Sequence, residues 1–574
     1  MTRFIYIISL LLFLFSCTKL DNAPQGIIAD EQLNTPENID KLCIAAYSGL
    51  GNDWGFAPYA SLWVTGSVRS DESYKGGDGV GDQDFINAFE VFTLNRIDNW
   101  AMDVIWYRLY VGIKRVNLAI AKLNATDEQA FPAKGTRLAE MRFLRGHFYF
   151  MLKILFKHIP YIDETVLPEA YSLVSNRALT NDELWNAIEA EFAYAAEHLP
   201  DVQDEVGRAN KWAAKAYQAR AVLYHAYTQG DDDNTVTGID AAKLNQVISL
   251  CDDVIASGKY ALSSDFAHNF LTAYENGPES IFAIQFSKDD GTPVGRLATG
   301  DFLNYPMNPE YGCCGFHMPS QHMVNAFKTS AQGLPLFDTF DNTDMLQGDD
   351  FLTYTFDPRL DHTVAIVGHP YKYEPDFVFA RSWLRAPEVY GLYMSMKETV
   401  AASDPSFKKM PPFMSSSKNQ DIIRYDDILL YKAEALIELN RQNEALPLIN
   451  LVRQRAINST GLLKQADNSS TSNYHMAIYV PGVNCTWSND FARKALRWER
   501  KIEFSMEGWR FFDLVRWGIA AETLNAYFAK EKTRRPHLNV ANFEKDKDEY
   551  FPIPLNQINY SSGLYEQNPG WERF

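Results

Sequence analysis

Apolar residues recur along this chain at helical spacing, and the helices they predict come in pairs that meet through alanine. Trp212, Ala216, Ala219, Leu223 and Ala226 fall on one helix face. After a loop from Gln229 to Gly238, a second face follows with Leu244, Val247, Ile248, Cys251, Val254 and Ile255, closed by Gly258. The plan repeats later. Arg424 to Leu439 is apolar at Ile428, Leu429, Ala433, Leu436 and Ile437, and the polar turn Asn440-Arg441-Gln442-Asn443 leads into Ala445, Leu448, Ile449, Val452 and Ala456. This second unit is about 34 residues long, the length of a tetratricopeptide repeat. Earlier, Ile105, Leu109, Gly112, Val116 and Ile120 share one face, and Thr180 with Glu183 forms a capping box ahead of Leu184, Ile188, Phe192, Ala195 and Leu199. A helix pair that buries only one face has to stack on its neighbours. The chain is therefore predicted to be mostly α, a tetratricopeptide-like helical-repeat superhelix.

Between about Tyr260 and Asn419 the pattern breaks. Gly, Pro, Asn and Asp become frequent, and runs such as Ser280 to Phe286 read as short strands. This predicts a loop-rich lobe inserted between repeats, and loops on a rigid scaffold are where binding residues are usually carried. Helix returns from Phe491 to about Lys530, followed by an extended tail.

At the N-terminus, Arg3 precedes an apolar run from Phe4 to Phe15 and then Ser16-Cys17. Twelve residues are too few to cross a bilayer core of about 30 Å, so the run reads as a secretory signal. Leu14-Phe15-Ser16-Cys17 has the form of a bacterial lipobox with Cys17 as the acylated residue, and acyl chains give stable membrane anchoring. Residues 18–35 are polar, with Pro and Gly, as in a tether. Five cysteines remain, an odd number that does not suggest a disulfide framework; the vicinal Cys313-Cys314 is open to either bonding or a reduced state. A net charge of −19, with no basic run to offset it, argues against nucleic acid as a partner.

No HExxH, GxSxG, GxxxxGK[ST] or GxGxxG motif is present, and no cofactor or metal is expected. Asp231-Asp232-Asp233-Asn234 lacks the alternation and closing Glu of a calcium loop and reads as a solvated turn, and His317 and His322 are weak metal candidates. Paired carboxylates for glycoside hydrolysis have no fixed sequence spacing, so a surface hydrolase stays open as an alternative, as does a scaffold that binds only protein.

Several stretches, in order, resemble the SusD/RagB family over nearly the whole mature chain. They are Trp106-x3-Tyr110-x2-Ile113-x3-Asn117; Ala139 to Phe150; Phe156-x3-Pro160; Asp357-Pro358-Arg359-Leu360; Arg424-Tyr425-x2-Ile428-Leu429-Leu430; and Ile449-Asn450-x2-Arg453-x2-Ala456. The C-terminal matches are Glu499-Arg500-x2-Glu503-Phe504-x3-Gly508-x-Arg510-x2-Asp513-Leu514-x-Arg516-Trp517, Phe551-Pro552-Ile553-Pro554 and Asn568-Pro569-Gly570. The resemblance implies an outer-membrane lipoprotein, not an enzyme, that faces the cell exterior. It would bind oligosaccharide or another nutrient as a lid on a SusC-like TonB-dependent outer-membrane channel. Surface lipoproteins of this kind often carry acidic residues directly after the lipidated Cys, whereas here Thr18-Lys19-Leu20-Asp21 follows. The expected organisation is a signal peptide over 1–16, a tether over 17–35, a SusD-like helical region over 36–260, a ligand-binding lobe over 261–419 and a C-terminal RagB/SusD helical region over 420–574.

Glu499, Arg500, Glu503, Arg510, Asp513 and Arg516 can pair with one another at helical spacing, which gives this charged motif a scaffold role rather than a catalytic one. A sugar ring stacks its apolar face on an aromatic plane and directs its hydroxyls to amides, carboxylates and guanidiniums. Ligand candidates in predicted loops are Trp54, Trp63, Asp71, Tyr74, Asn99, Trp100, Tyr311, Trp383 and Arg385. Trp383, Trp100 and Trp54 lead this group.

Overall fold

The computed structural model describes residues 30–572 apart from 52, 54, 293–294 and 347. The lipobox at Leu14 to Cys17 and the candidate Trp54 lie outside the described residues. Helix α1 spans Pro36–Tyr47, α2 Asp84–Val91, α3 Trp100–Asn124, α4 Lys134–Phe156, α5 Asn181–His198, α6 Lys211–Ala226 and α7 Ala241–Ala256. From α3 onward each packs on the next. Between Ala139 and Phe156 every residue of α4 except Arg142 is buried, the mark of a helix enclosed on all sides. Its Phe148 ring lies where neighbouring backbones carry no side chain. A Cβ on Gly112 of α3 would come within 2.6 Å of that ring, and one on Gly49 within 2.9 Å.

The stack then continues past a long interruption. Helix α7 packs directly on α8 (Tyr425–Glu438), although residues 257–424 separate them; α8 in turn packs on α9 (Gln442–Asn458) and α10 (Asn489–Glu503). The lobe between α7 and α8 contains short antiparallel strand pairs, 364–366 with 393–395, 370–371 with 374–378 and 407–410 with 413–416. Strand Ser280–Ile284 runs antiparallel to Gln420–Arg424 and joins the two ends of the lobe. Another pair, Ser73–Gly76 with Phe316–Pro319, ties the N-terminal region to the lobe, with Tyr74 opposite Met318. The fold is thus mostly helical, with the loop-rich insertion that the sequence predicts.

Two local expectations are refined. The loop between α6 and α7 is closed by a β-hairpin, Tyr227–Gln229 with Val236–Ile239, whose tip keeps Asp232 and Asp233 exposed. The Lys157 ammonium holds its acidic tip, donating to Gly230 O at 2.8 Å and to Asn234 Oδ1 at 3.0 Å. The predicted Phe491–Lys530 helix is divided into α10, α11 (Arg510–Arg516) and α12 (Ala520–Glu531). The break before α11 is at Gly508, with φ +82°, where a Cβ would lie 2.4 Å from that of Leu62. Close approach of two backbones overrides the helical pattern there.

The charged motif of α10 and α11 is interior. Arg359 donates to Glu499 at 2.6 Å and to Glu503 at 2.7 Å, and Arg453 donates to the other oxygen of Glu499 at 2.9 Å. Arg455 bridges Glu279 at 2.8 Å and Glu503; Arg500 meets Asp513 at 2.8 Å; Arg516 joins Asp513 at 2.9 Å to Glu434. Burial pushes the Glu503 carboxyl up, but Arg455 and Arg359 more than offset this and hold it at about 2. Glu434 ends at about 2 for the same reason, with Arg516 as its partner. These carboxylates are ionised acceptors in a belt of charge-assisted bonds.

Candidate ligand-binding surface

Three of the sequence candidates meet in the lobe. The Trp383 indole is half-buried against Phe377, Phe379 and Tyr371, with ring centroids 4.7, 5.4 and 5.9 Å away. Tyr371 and Phe377 also touch the Tyr311 ring, so Tyr311 supports the same aromatic cluster from beneath. Two residues on, Arg385 lies over Gly315 and donates to Asp82 Oδ2 at 2.7 Å; Asp78 is 3.7 Å away. Asp78 and Asp82 flank the Gly79 and Gly81 turn that leads into α2, and neither glycine has a neighbour where a Cβ would stand. The tip of the turn is therefore open, while the Gly77 N–H donates to Gly315 O at 2.8 Å and the carboxylate–guanidinium latch adds a second tie to the lobe. Next to Arg385, Cys313 and Cys314 form a vicinal disulfide.

A second group of candidates lies one helix further along. Asn99 caps α3, its Oδ1 accepting from the Ala101 N–H at 3.2 Å. Trp100 is 40% exposed and leans on Phe85 of α2 at 4.5 Å. Helix α2 starts at Asp84, so it connects this ring to the Asp78–Asp82 turn.

Burial corrects the reading of the others. Asp71 is 1% exposed, and its carboxylate is taken by Lys501 at 2.8 Å and Arg510 at 2.9 Å. The Tyr74 hydroxyl donates to Glu531 and accepts from the Gln321 N–H, and the Tyr311 hydroxyl donates to Val400 O at 3.0 Å; both side chains are fully buried. Trp63 is buried too, with its N–H on Gly300 O at 2.9 Å. Each sits in a stretch rich in Gly and Ser that reads as loop, but these loops run through the interior and carry core side chains. What the sequence reading missed is the support: Tyr371 and Phe377 look unremarkable in their hairpin, and only the contact with Trp383 gives them a role.

A chamber of about 100 Å³ lies between the helical stack and the lobe, lined by Asp301, His317, Glu398, Lys418, Asp421 and Arg424 among others. Burial pushes Asp301 up to about 7, with Glu398 adding to it, and Asp421 up to about 6. His317 pairs with Glu398 at 2.6 Å, while His322 pairs with Asp341 at 3.1 Å, so the two histidines do not share a site. Glu279, Asp426 and Glu503 each bring an oxygen within 4.8 Å of the others. Arg455 already bonds two of them, and burial drives Asp426 well above the usual range, toward its neutral form, so this group is an extension of the arginine belt.

Two family models cover most of the chain. That of the SusD family matches residues 278–571, and one described as starch-binding associating with outer membrane matches residues 58–223. SusD-like protein P2 of Formosa agariphila is 24% identical over 574 residues, 98% of each chain. The fold is similar to a SusD-like protein from Bacteroides fragilis, with a TM-score of 0.70 at 21% identity over 95% of this chain and 99% of that one. It is also similar to surface glycan-binding protein A from Bacteroides thetaiotaomicron in complex with laminarihexaose, with a TM-score of 0.62 at 20% identity over 93% and 99%.

Proposed function

The chain belongs to the SusD family, and we propose that it captures neutral oligosaccharide on the Trp383 surface and passes it to a SusC-like TonB-dependent outer-membrane channel. The observation that carries this reading is the indole of Trp383, held from one side by Phe377, Phe379 and Tyr371 and bordered by the Arg385–Asp82 latch. A fixed aromatic plane beside hydrogen-bonding groups fits a sugar ring. Preference for neutral sugars follows from charge. Both guanidiniums beside Trp383 already have carboxylates, Arg385 with Asp82 and Arg381 with Glu388 at 3.6 Å, so an added carboxylate or sulfate would meet local negative charge.

Binding without turnover is part of the proposal. Asp301 and Asp421, two of the carboxyls that burial raises into the range of a general acid, face a chamber of about 100 Å³, well below the ~300 Å³ at which ligand sites begin. Anchoring is assigned to an acylated Cys17, with the domain at the outer face of the outer membrane. No helix among the described residues is long and apolar enough to cross a membrane. A transport route would therefore come from the partner channel.

Calorimetry and affinity gels with neutral polysaccharides and their hexasaccharides test the reading. Retention is expected for the native protein and not for a uronate polymer. Retention of none of the neutral glycans, or stronger retention of the uronate, defeats it. Mild-detergent purification from native membranes should recover a β-barrel partner, and Cys17→Ala should release the protein from the membrane fraction.

A further inference from the structure

A second aromatic site lies on the helical stack, on elements that contribute nothing to the Trp383 surface. It is an open groove of about 340 Å³ whose lining includes Trp106, Tyr107 and Lys114 from α3, Tyr171 from the segment between α4 and α5, and Tyr560 and Tyr565 near the C-terminus. Its floor is rigid. The Tyr110 hydroxyl donates to Pro160 O at 2.7 Å, the Asn117 amide donates to Ile162 O at 2.9 Å, and Trp106 packs between Phe156 and Tyr565. Its rim is open, with Tyr107 63% and Tyr560 55% exposed.

The polar atoms identify the occupant. Among the described residues, the hydroxyls of Tyr107, Tyr171 and Tyr560 and the Lys114 ammonium line the groove and make no hydrogen bond within the protein, and Trp106, 2% exposed, lines it with them. Burial raises the Tyr171 phenol, and Tyr560 adds to it; Tyr565, buried in turn, is pushed up to about 12 with Tyr560 again contributing. The raised phenols of Tyr171 and Tyr565 are neutral donors among the groove's lining residues. An aliphatic peptide side chain filling the groove would strand them without partners. A sugar has apolar C–H faces for the rings and hydroxyls at its edges for the phenols and Lys114. The volume is within the ~300–1,000 Å³ typical of small-ligand sites.

We infer that this groove is a second glycan-binding site, taking a short neutral segment of one or two sugar rings. It rests on the reading that the protein binds neutral oligosaccharide, and it would give one chain two separate grips on a polymer.

The test places a fluorotyrosine at position 107 of the full chain and follows its ¹⁹F signal during titration with maltohexaose, laminarihexaose, cellohexaose, xylohexaose and mannohexaose, with calorimetry in parallel. The expected result is a shift with at least one sugar that persists in Trp383→Ala. In the double variant Tyr107→Ala/Tyr560→Ala, affinity at the groove should fall at least tenfold while calorimetry retains the Trp383 event within twofold. A sugar that binds by calorimetry but leaves the reporter silent overturns the groove and leaves the family function standing. So does a shift that disappears in Trp383→Ala, or one seen only on addition of the membrane partner. No binding of any of the five sugars, by either method, overturns both readings.

Discussion

The arginine belt of α10 and α11 and the latch beside Trp383 are built from the same parts, guanidinium, carboxylate and aromatic ring, and they do different work because one is dry and the other wet. In the belt, Arg359 is fully buried between Glu499, Glu503 and Asp357, and these three carboxylates are fixed acceptors for its guanidinium. In the latch, Arg385 keeps 28% of its side chain in solvent, so its bond to Asp82 competes with water and can exchange for a ligand hydroxyl. Identical residue types therefore fix the fold in one region and leave a surface adjustable in the other.

The comparison breaks first if the belt is not structural. Glu503→Gln removes a charge that Arg359 and Arg455 both need, and leaving such partners buried and unpaired typically costs about 3–5 kcal/mol. Urea denaturation should show that loss, with sugar affinity unchanged in the folded fraction. A loss below about 1 kcal/mol would place the belt with ordinary surface pairs.

Acid should weaken the belt, together with other buried, paired carboxylates such as Asp71 and Asp361. The folded-state pKa values of Glu503 and Glu434 are about 2, below the usual 4.5. Their contribution is complete above pH 4.5 and is lost as pH falls through 2. Asp426, raised rather than lowered, runs the other way and offsets part of this. Stability by urea denaturation should drop steeply between pH 4.5 and 2; a flat profile over that window would contradict the belt's assignment.

The smaller effects belong to the latch. Trp383→Ala should weaken sugar binding by about 2 kcal/mol, roughly 30-fold, the lower bound of a binding hot spot. Its melting temperature should stay close to that of the native protein. If stability falls as it does for a core indole, about 3–5 kcal/mol, Trp383 is scaffold. Arg385→Gln should cost less than about 1 kcal/mol of stability and a few-fold in affinity. An unchanged affinity there would confine the contact surface to the aromatic plane.

The same contrast explains what was legible in sequence. Helix faces such as Ile105 to Ile120 and the Thr180–Glu183 box announce themselves through spacing, because a helix meets its neighbours at fixed intervals. Gly508 shows where spacing fails: the constraint there comes from Leu62, more than four hundred residues away. Site residues suffer the same way. Asp71 and Tyr74 precede the Gly-rich turn and read as exposed, yet Lys501, Arg510 and Glu531 draw them inside. Loop composition reports backbone conformation, not whether water reaches the side chain. Trp383 and Arg385 share one short segment and can be proposed together from sequence, whereas Tyr107 and Tyr560, far apart in the chain, come together only in the groove.

The strand pair 280–284 with 420–424 closes the lobe at its root while α7 and α8 remain in direct contact. The cost of closing a flexible loop rises by only about 0.6 kcal/mol for each doubling of its length. The root therefore behaves as a socket: hairpins such as 370–378 that carry no belt residue can lengthen or shorten, while Arg359 and Glu279 keep the rest of the lobe tied to the helices. Within the lobe itself, then, some segments are free to vary in length while others are bound to the helices by buried charge.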